Sequence, residues 1–160
     1  MSDLAATAPA FVEMAHRIVW ATAATVSPDG RPRTRVLHPY WIWDGSSLVG
    51  WIATGPTPVK RAALDQAPYL SVTYLAENHD TCTADATTAW AFDDETRQWV
   101  WDLFVNAPAP VGYDPAVVPA WAGGPLSPAF AGLRVEPYRL RVMPGTAMVG
   151  GPGSILHWEA

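Results

Sequence analysis

Lysine is nearly absent from this chain. Of its ten basic residues nine are arginine, and Lys60 is the only lysine in 160 positions. There is no run of Lys or Arg, and the formal net charge is −5, so the electrostatic footprint of non-specific nucleic-acid binding is missing and no nucleic-acid partner is expected. Cysteine is as rare: Cys82 stands alone, which excludes an internal disulfide and makes a cytoplasmic setting the expectation. No apolar run reaches the length of about 18 residues that a membrane helix requires, and the opening MSDLAATAPAF lacks the basic start of a secretory signal, so no membrane association is expected. The four histidines, His16, His38, His79 and His157, show neither HxH nor HExxH spacing, so no metal site is expected. No serine sits in a nucleophile elbow, and GGPG at 150–153 does not follow a strand-to-helix turn, so neither a serine hydrolase nor a dinucleotide fold is indicated.

What the chain does have is apolar. Hydrophobic residues make up 49% and charged residues only 16%, too apolar a balance for disorder and low in charge for an isolated soluble surface. A second copy covering part of that surface is expected. The length suits one domain over 1–160, with a core from about 18 to 145. PAFVEMAHRI has helical spacing over 9–18, behind a frayed lead at 1–8. VWATAATVS, RPRTRVLHPYWIWD and SLVGWIAT alternate with the turns SPDG and DGSS, and predict a three-stranded antiparallel meander over 19–54. PVKRAALDQ predicts a short helix bounded by Pro58 and Pro68. YLSVTYL and DTCTADATTAWAF predict strands four and five, DDETRQWVWDLF a helix with acidic residues in its first turn, and AGLRVEPYRLRVMP a sixth strand interrupted at Pro137. Between the last two lies a long proline-rich connection, about 105–128, either a loop packed on the surface or a flap near a site. GSILHWEA would be an edge strand or an arm. The expected class is mainly β, with a few peripheral helices on an antiparallel barrel.

Lys60 opens the helix that follows strand three, where free backbone N–H groups and the positive dipole end gather. A cation there opposes the dipole. Either it is a solvated surface lysine, or an anion is held there by the amides, Lys60 and a hydroxyl from Thr54 or Thr57. Cys82, between threonines in a strand, reads as a small buried residue. Trp41, Trp43 and Trp51 read as core or dimer contacts, while Trp121 and Trp158, on the loop and the tail, are the better candidates for a pocket.

The ordered set ATVSPDGRPRTRVLH, then LVGWIATGPTPVKRAALDQAPYLSVTY, resembles the pyridoxamine 5′-phosphate oxidase-like FMN-binding split-barrel family from about Ile18 to Tyr74, and more loosely through LRVEPYRLRV. The resemblance implies a six-stranded antiparallel split barrel of Greek-key type that forms a homodimer with flavin in clefts between subunits. It places ring contacts on the strand-two run Arg35, Val36, Leu37 and His38, with Arg35 reaching the phosphate side. Thr54 would close strand three, Lys60 would hold the phosphate, and Arg61 would stand in for the arginine that the oxidase carries where this chain has Val59. Thr81, or Thr83, would reach the flavin of the partner subunit. The implied activity is hydride or electron transfer between FMN and a small conjugated substrate, without an obligatory protein acid or base. The alternative cofactor is the 8-hydroxy-5-deazaflavin coenzyme of sister groups. Further alternatives are a barrel that carries flavin without turnover, one that has lost the cofactor, and, more remotely, haem ligated by a histidine. The oxidase's substrate-phosphate residues have no counterpart here, so vitamin B6 phosphate is not the expected substrate.

Overall fold

The structure, a computed structural model, describes residues 2–160. Helix α1 runs Leu4–Ile18, longer at its start than the spacing predicts. Asp3 caps it by accepting from the Ala6 amide at 2.7 Å, and the buried Thr7 and Ala8 continue the apolar face formed by Phe11, Met14 and Ala15. The lead at 4–8 is therefore helical, and Pro9 sits inside the helix rather than opening it. Strands β1 (Ala21–Val26) and β2 (Pro32–Leu37) form the first hairpin, and β3 (Pro39–Trp43) and β4 (Leu48–Thr54) the second. Helix α2 (Pro58–Gln66) is followed by β5 (Tyr69–Leu75), β6 (Thr81–Ala91), α3 (Asp94–Asn106) and β7 (Ala131–Met143). The short α4 (Gly145–Met148) and the edge strand β8 (Leu156–Glu159) on β7 complete the chain.

Every strand pairing is antiparallel, in the order β2-β1-β5-β6-β7-β4-β3, with β8 added on β7. The three-stranded meander over 19–54 is therefore corrected: its long middle strand is two strands, interrupted at His38. Pro39 has no N–H for the ladder and restricts the residue before it, so pairing breaks there. β2 and β3 end up at opposite ends of the sheet order although one residue joins them. A sheet so connected must curl until its ends meet, and His38 marks the seam of the resulting split barrel. The split strand and the terminal β8 raise the strand count from the expected six to eight. The expected irregularity near Pro137 is a register shift: Asp85 faces Arg139 and Ala86 faces Pro137, leaving Tyr138 as the extra residue.

The main core fills the barrel and the face of α1. Phe11 meets Trp41 edge-on at 5.0 Å and Tyr74 at 6.2 Å, and the Trp41 indole donates to the Tyr74 hydroxyl at 2.9 Å. Cys82 is fully buried here, and Trp158 of β8 packs against its rim. A second cluster lies beneath α3, built from Val100, Phe104, Trp121 and Phe130. Asp93 caps α3 through the Thr96 amide, at 2.8 Å. The 105–128 connection is not structureless: it carries 3₁₀ turns at Pro115–Val117 and Pro119–Trp121, and Trp121 is pinned by its indole N–H to the Ala129 carbonyl at 2.9 Å.

Candidate functional site

The proline-rich connection folds back over the seam and roofs a pocket of about 470 Å³. Its walls come from the end of β2 (Val36, Leu37, His38), the end of β4 (Ala53, Thr54), the α1–β1 junction (Val19, Trp20) and the roof (Pro110, Tyr113, Val117, Val118, Trp121). The flap reading of that connection fits the geometry, because it supplies one side of a cavity. Val19 sits at positive φ (74°) in a tight turn closed by the Trp20 amide on the Ile18 carbonyl at 2.9 Å. That backbone is costly for a β-branched residue, and it sets Val19 and Trp20 at the pocket mouth.

Beside the pocket lies a knot of positive charge. Arg35 and Leu37 lie opposite Ala23 and Ala21, on the inward face of β1. The Arg35 guanidinium donates from Nη2 to the buried Thr25 hydroxyl at 3.0 Å, while its Nη1 is buried with no partner. Lys60 Nζ donates to Thr54 Oγ1 at 2.5 Å and to the Gly55 carbonyl at 2.9 Å. An ammonium has three N–H donors, so one remains. Burial, followed by the nearby Arg35 charge, lowers the Lys60 pKa to about 8. Burial, and then Arg33, likewise lower that of Arg35. Six of the nine arginines pair with a carboxylate, but among the described residues none lies within ion-pair distance of Arg33, Arg35 or Lys60. Two half-buried cations near each other without a counter-charge leave positive charge that only solvent or an anion could answer. At the start of α2, Thr57 provides no side-chain cap, and Pro58 takes the first position.

Of the sequence-predicted residues, Val36, Leu37, His38 and Thr54 line the pocket, and Arg35 and Lys60 form the charged knot beside it. Thr54 belongs to both. Arg61 points elsewhere: it pairs with Asp65 at 2.9 Å and lies 4.6 Å over the Phe92 ring, so its charge is already answered. Its part as a substitute for the arginine missing at Val59 finds no support in this geometry. Thr81 caps the β5–β6 turn by donating to the His79 carbonyl at 3.2 Å, and it is not in the pocket wall. Thr83 pairs with Thr73 and Arg141 in mid-sheet. Of the two tryptophan candidates, Trp121 lines the pocket, while Trp158 packs on the barrel core. Sequence reasoning missed Trp20, Tyr113, Val117, Val118 and Thr25. Tyr113, an aromatic inside the proline-rich connection, was the one legible signal among them.

No family model matches this chain, and no curated protein matches it. Solved structures do. A Clostridium acetobutylicum protein related to general stress protein 26, of the pyridoxinephosphate oxidase family, superposes with a TM-score of 0.67 at 10% identity, over 92% of this chain and 89% of that one. A pyridoxamine 5′-phosphate oxidase-related, FMN-binding protein of Nostoc punctiforme superposes with a TM-score of 0.61 at 16% identity, over 90% and 86%. An F420 reductase gives 0.55 at 13% identity, over 81% and 94%. Through the curled sheet, the seam at His38 and these superpositions, the chain has the fold of the pyridoxamine 5′-phosphate oxidase-like split-barrel proteins.

Proposed function

We propose that this protein is a flavin-dependent oxidoreductase that binds FMN at the Arg35–Lys60 knot and the adjoining pocket, and passes hydride or electrons to a small conjugated substrate. The observation that carries this reading is the buried, partnerless Nη1 of Arg35 beside an unpaired Lys60. A phosphate group fits that donor set, since it is dianionic and accepts several charge-assisted hydrogen bonds at once. The pocket beyond Thr54 is walled by Trp20, Val36, His38, Tyr113 and Trp121, which suits a flat ring. Bound FMN would supply the redox chemistry. The chain's own residues would anchor the phosphate through Arg35 and Lys60, steady the Lys60 ammonium through Thr54, and exclude water with the proline-rich roof.

A homodimer belongs to the same reading. The outward side of the sheet carries exposed Val26, Tyr69, Leu75 and Tyr138 among small threonines and serines, an apolar face that a second copy would cover. The part read for Thr81, a contact to the flavin of the partner subunit, belongs to that dimer. The cytoplasmic setting stays part of this proposal; among the described residues no helix is long and apolar enough to cross a membrane.

A second reading, the deazaflavin coenzyme, is favoured by two observations. Arg33, exposed and without a carboxylate, extends the positive strip along β2 toward any acidic tail, and one superposing structure is an F420 reductase. The test is titration of the purified protein with FMN and with the deazaflavin coenzyme, in wild type and Lys60→Ala. FMN is expected to bind, and loss of Lys60 to weaken it by about 1–3 kcal/mol. Tighter deazaflavin binding selects the second reading. Binding of neither leaves a barrel without a flavin, the outcome that Val59 in place of arginine would fit.

A further inference from the structure

Among the residues that line the pocket, the least explained polar atom is Nε2 of His38. The side chain is only 8% exposed, and Nε2 is buried without any partner. The ring has three aromatic neighbours: it stacks on Tyr113 at 5.2 Å and 25°, and meets Trp20 at 5.1 Å and Phe104 at 5.5 Å. The other ring nitrogen is placed to donate to the Val111 backbone carbonyl. Burial, with the charge of His16 adding to it, drives its pKa down to about 4, so the ring is neutral near pH 7. A neutral imidazole whose one proton faces Val111 carries a bare lone pair at Nε2, buried just behind the wall that His38 gives to a cavity lined mostly by carbon.

We propose that His38 Nε2 accepts a hydrogen bond from an N–H or O–H group on the planar ring bound in this pocket, and so selects ligands that carry such a donor there. A buried acceptor left unmet is costly, so a ligand bearing the donor recovers what one lacking it forfeits. The residue acts in specificity, and the inference rests on the pocket being the ring site of the proposed function. The donor has two possible sources, the imide N–H of a flavin-type cofactor and a phenolic or enolic O–H of a substrate.

Two matched pairs of probes separate the sources: FMN with N3-methyl-FMN, and 2-naphthol with 2-methoxynaphthalene. Binding is read by quenching of tryptophan fluorescence, in wild type, His38→Phe and His38→Gln. His38→Phe keeps an aromatic ring in the box and removes the acceptor; His38→Gln keeps an acceptor and guards against a misfolded Phe variant. The expected result is that methylation weakens one pair by about tenfold in wild type, has no effect in His38→Phe, and keeps part of its effect in His38→Gln. Discrimination in the flavin pair places the donor on the cofactor, and in the naphthol pair on the substrate. If FMN fails to bind but the naphthols are discriminated, the inference stands and the flavin reading falls. If FMN binds and neither pair is discriminated, the flavin reading stands and this inference is overturned. Absence of all binding overturns both. Hemin that binds with a histidine-ligated spectrum, lost in His38→Phe, also overturns it by making Nε2 an iron ligand.

Discussion

Lys60 reaches Thr54 across 2.5 Å, and Thr54 also forms part of the pocket wall, so one hydroxyl joins the charged knot to the apolar cavity. Thr54→Val would remove that link while leaving a side chain of similar shape. FMN affinity is expected to fall by about 1–2 kcal/mol, with little change in the unfolding midpoint. Fluorescence titration beside a urea melt checks both halves of the expectation.

The lowered pKa of Lys60 gives binding a pH signature. In the folded protein the ammonium loses its proton near pH 8, against 10.5 ordinarily. Phosphate affinity should therefore decline as the pH rises through about 8. Stability of the ligand-free protein moves the other way, because between those two values the unfolded chain holds a proton that the folded chain lacks, so folding becomes more favourable. Lys60→Arg should flatten both profiles. A wild-type affinity that ignores this range would place Lys60 outside the anion site.

Acid should act through two histidines. His38 and His16 are both held neutral by burial, and His16 Nε2 accepts from the Trp41 backbone amide at 3.0 Å, which a protonated ring could not do. A depressed folded pKa means stability that is full above about 6.5 and is lost as the pH falls toward 4. Denaturant midpoints measured across that window should fall less steeply in His38→Phe and in His16→Gln than in wild type.

Tyr74→Phe tests the barrel core. It removes the acceptor from the fully buried Trp41 indole N–H, at a cost of about 1–3 kcal/mol. A urea midpoint equal to wild type would mean that this bond contributes nothing to the fold.

Gly112→Ala tests the roof. A Cβ at this position would lie 1.9 Å from the Ala107 carbonyl oxygen, a contact that backbone on both sides must shift to relieve. The expected result is faster proteolysis within 105–128 and weaker ligand binding, with the barrel still folded by circular dichroism.

Much of this structure is local, and local features can be read directly. The turns at Asp29–Gly30 and Asp44–Gly45, the Pro58 start of α2 and the Asp93 cap of α3 each announce themselves in a few residues. What the sequence hid depends on distance. The two hairpins sit at opposite ends of the sheet because β5, β6 and β7 come between them, and nothing near His38 foretells that. Pro39 was visible, yet its meaning as a seam was not. The early start of α1 was readable in hindsight from Asp3, whose side chain provides the cap. The candidate site divides the same way. Lys60 stood out by its rarity, and Arg35 and Thr54 followed from the family resemblance. Tyr113, Val117 and Val118 reach the pocket only because a long connection folds back, and the partners of Arg61 in this structure, Asp65 and Phe92, are not legible from its place in the motif.

The scarcity of lysine gives the molecule a built-in reporter. Apart from the α-amino group, Lys60 Nζ is the only primary amine in the chain, and it sits in the charged knot. Reductive methylation with a carbon-13 label would therefore yield a single side-chain resonance. Its chemical shift would follow the protonation, the contact with Thr54 and the arrival of any anion at one atom, with the α-amino resonance as the only other labelled signal.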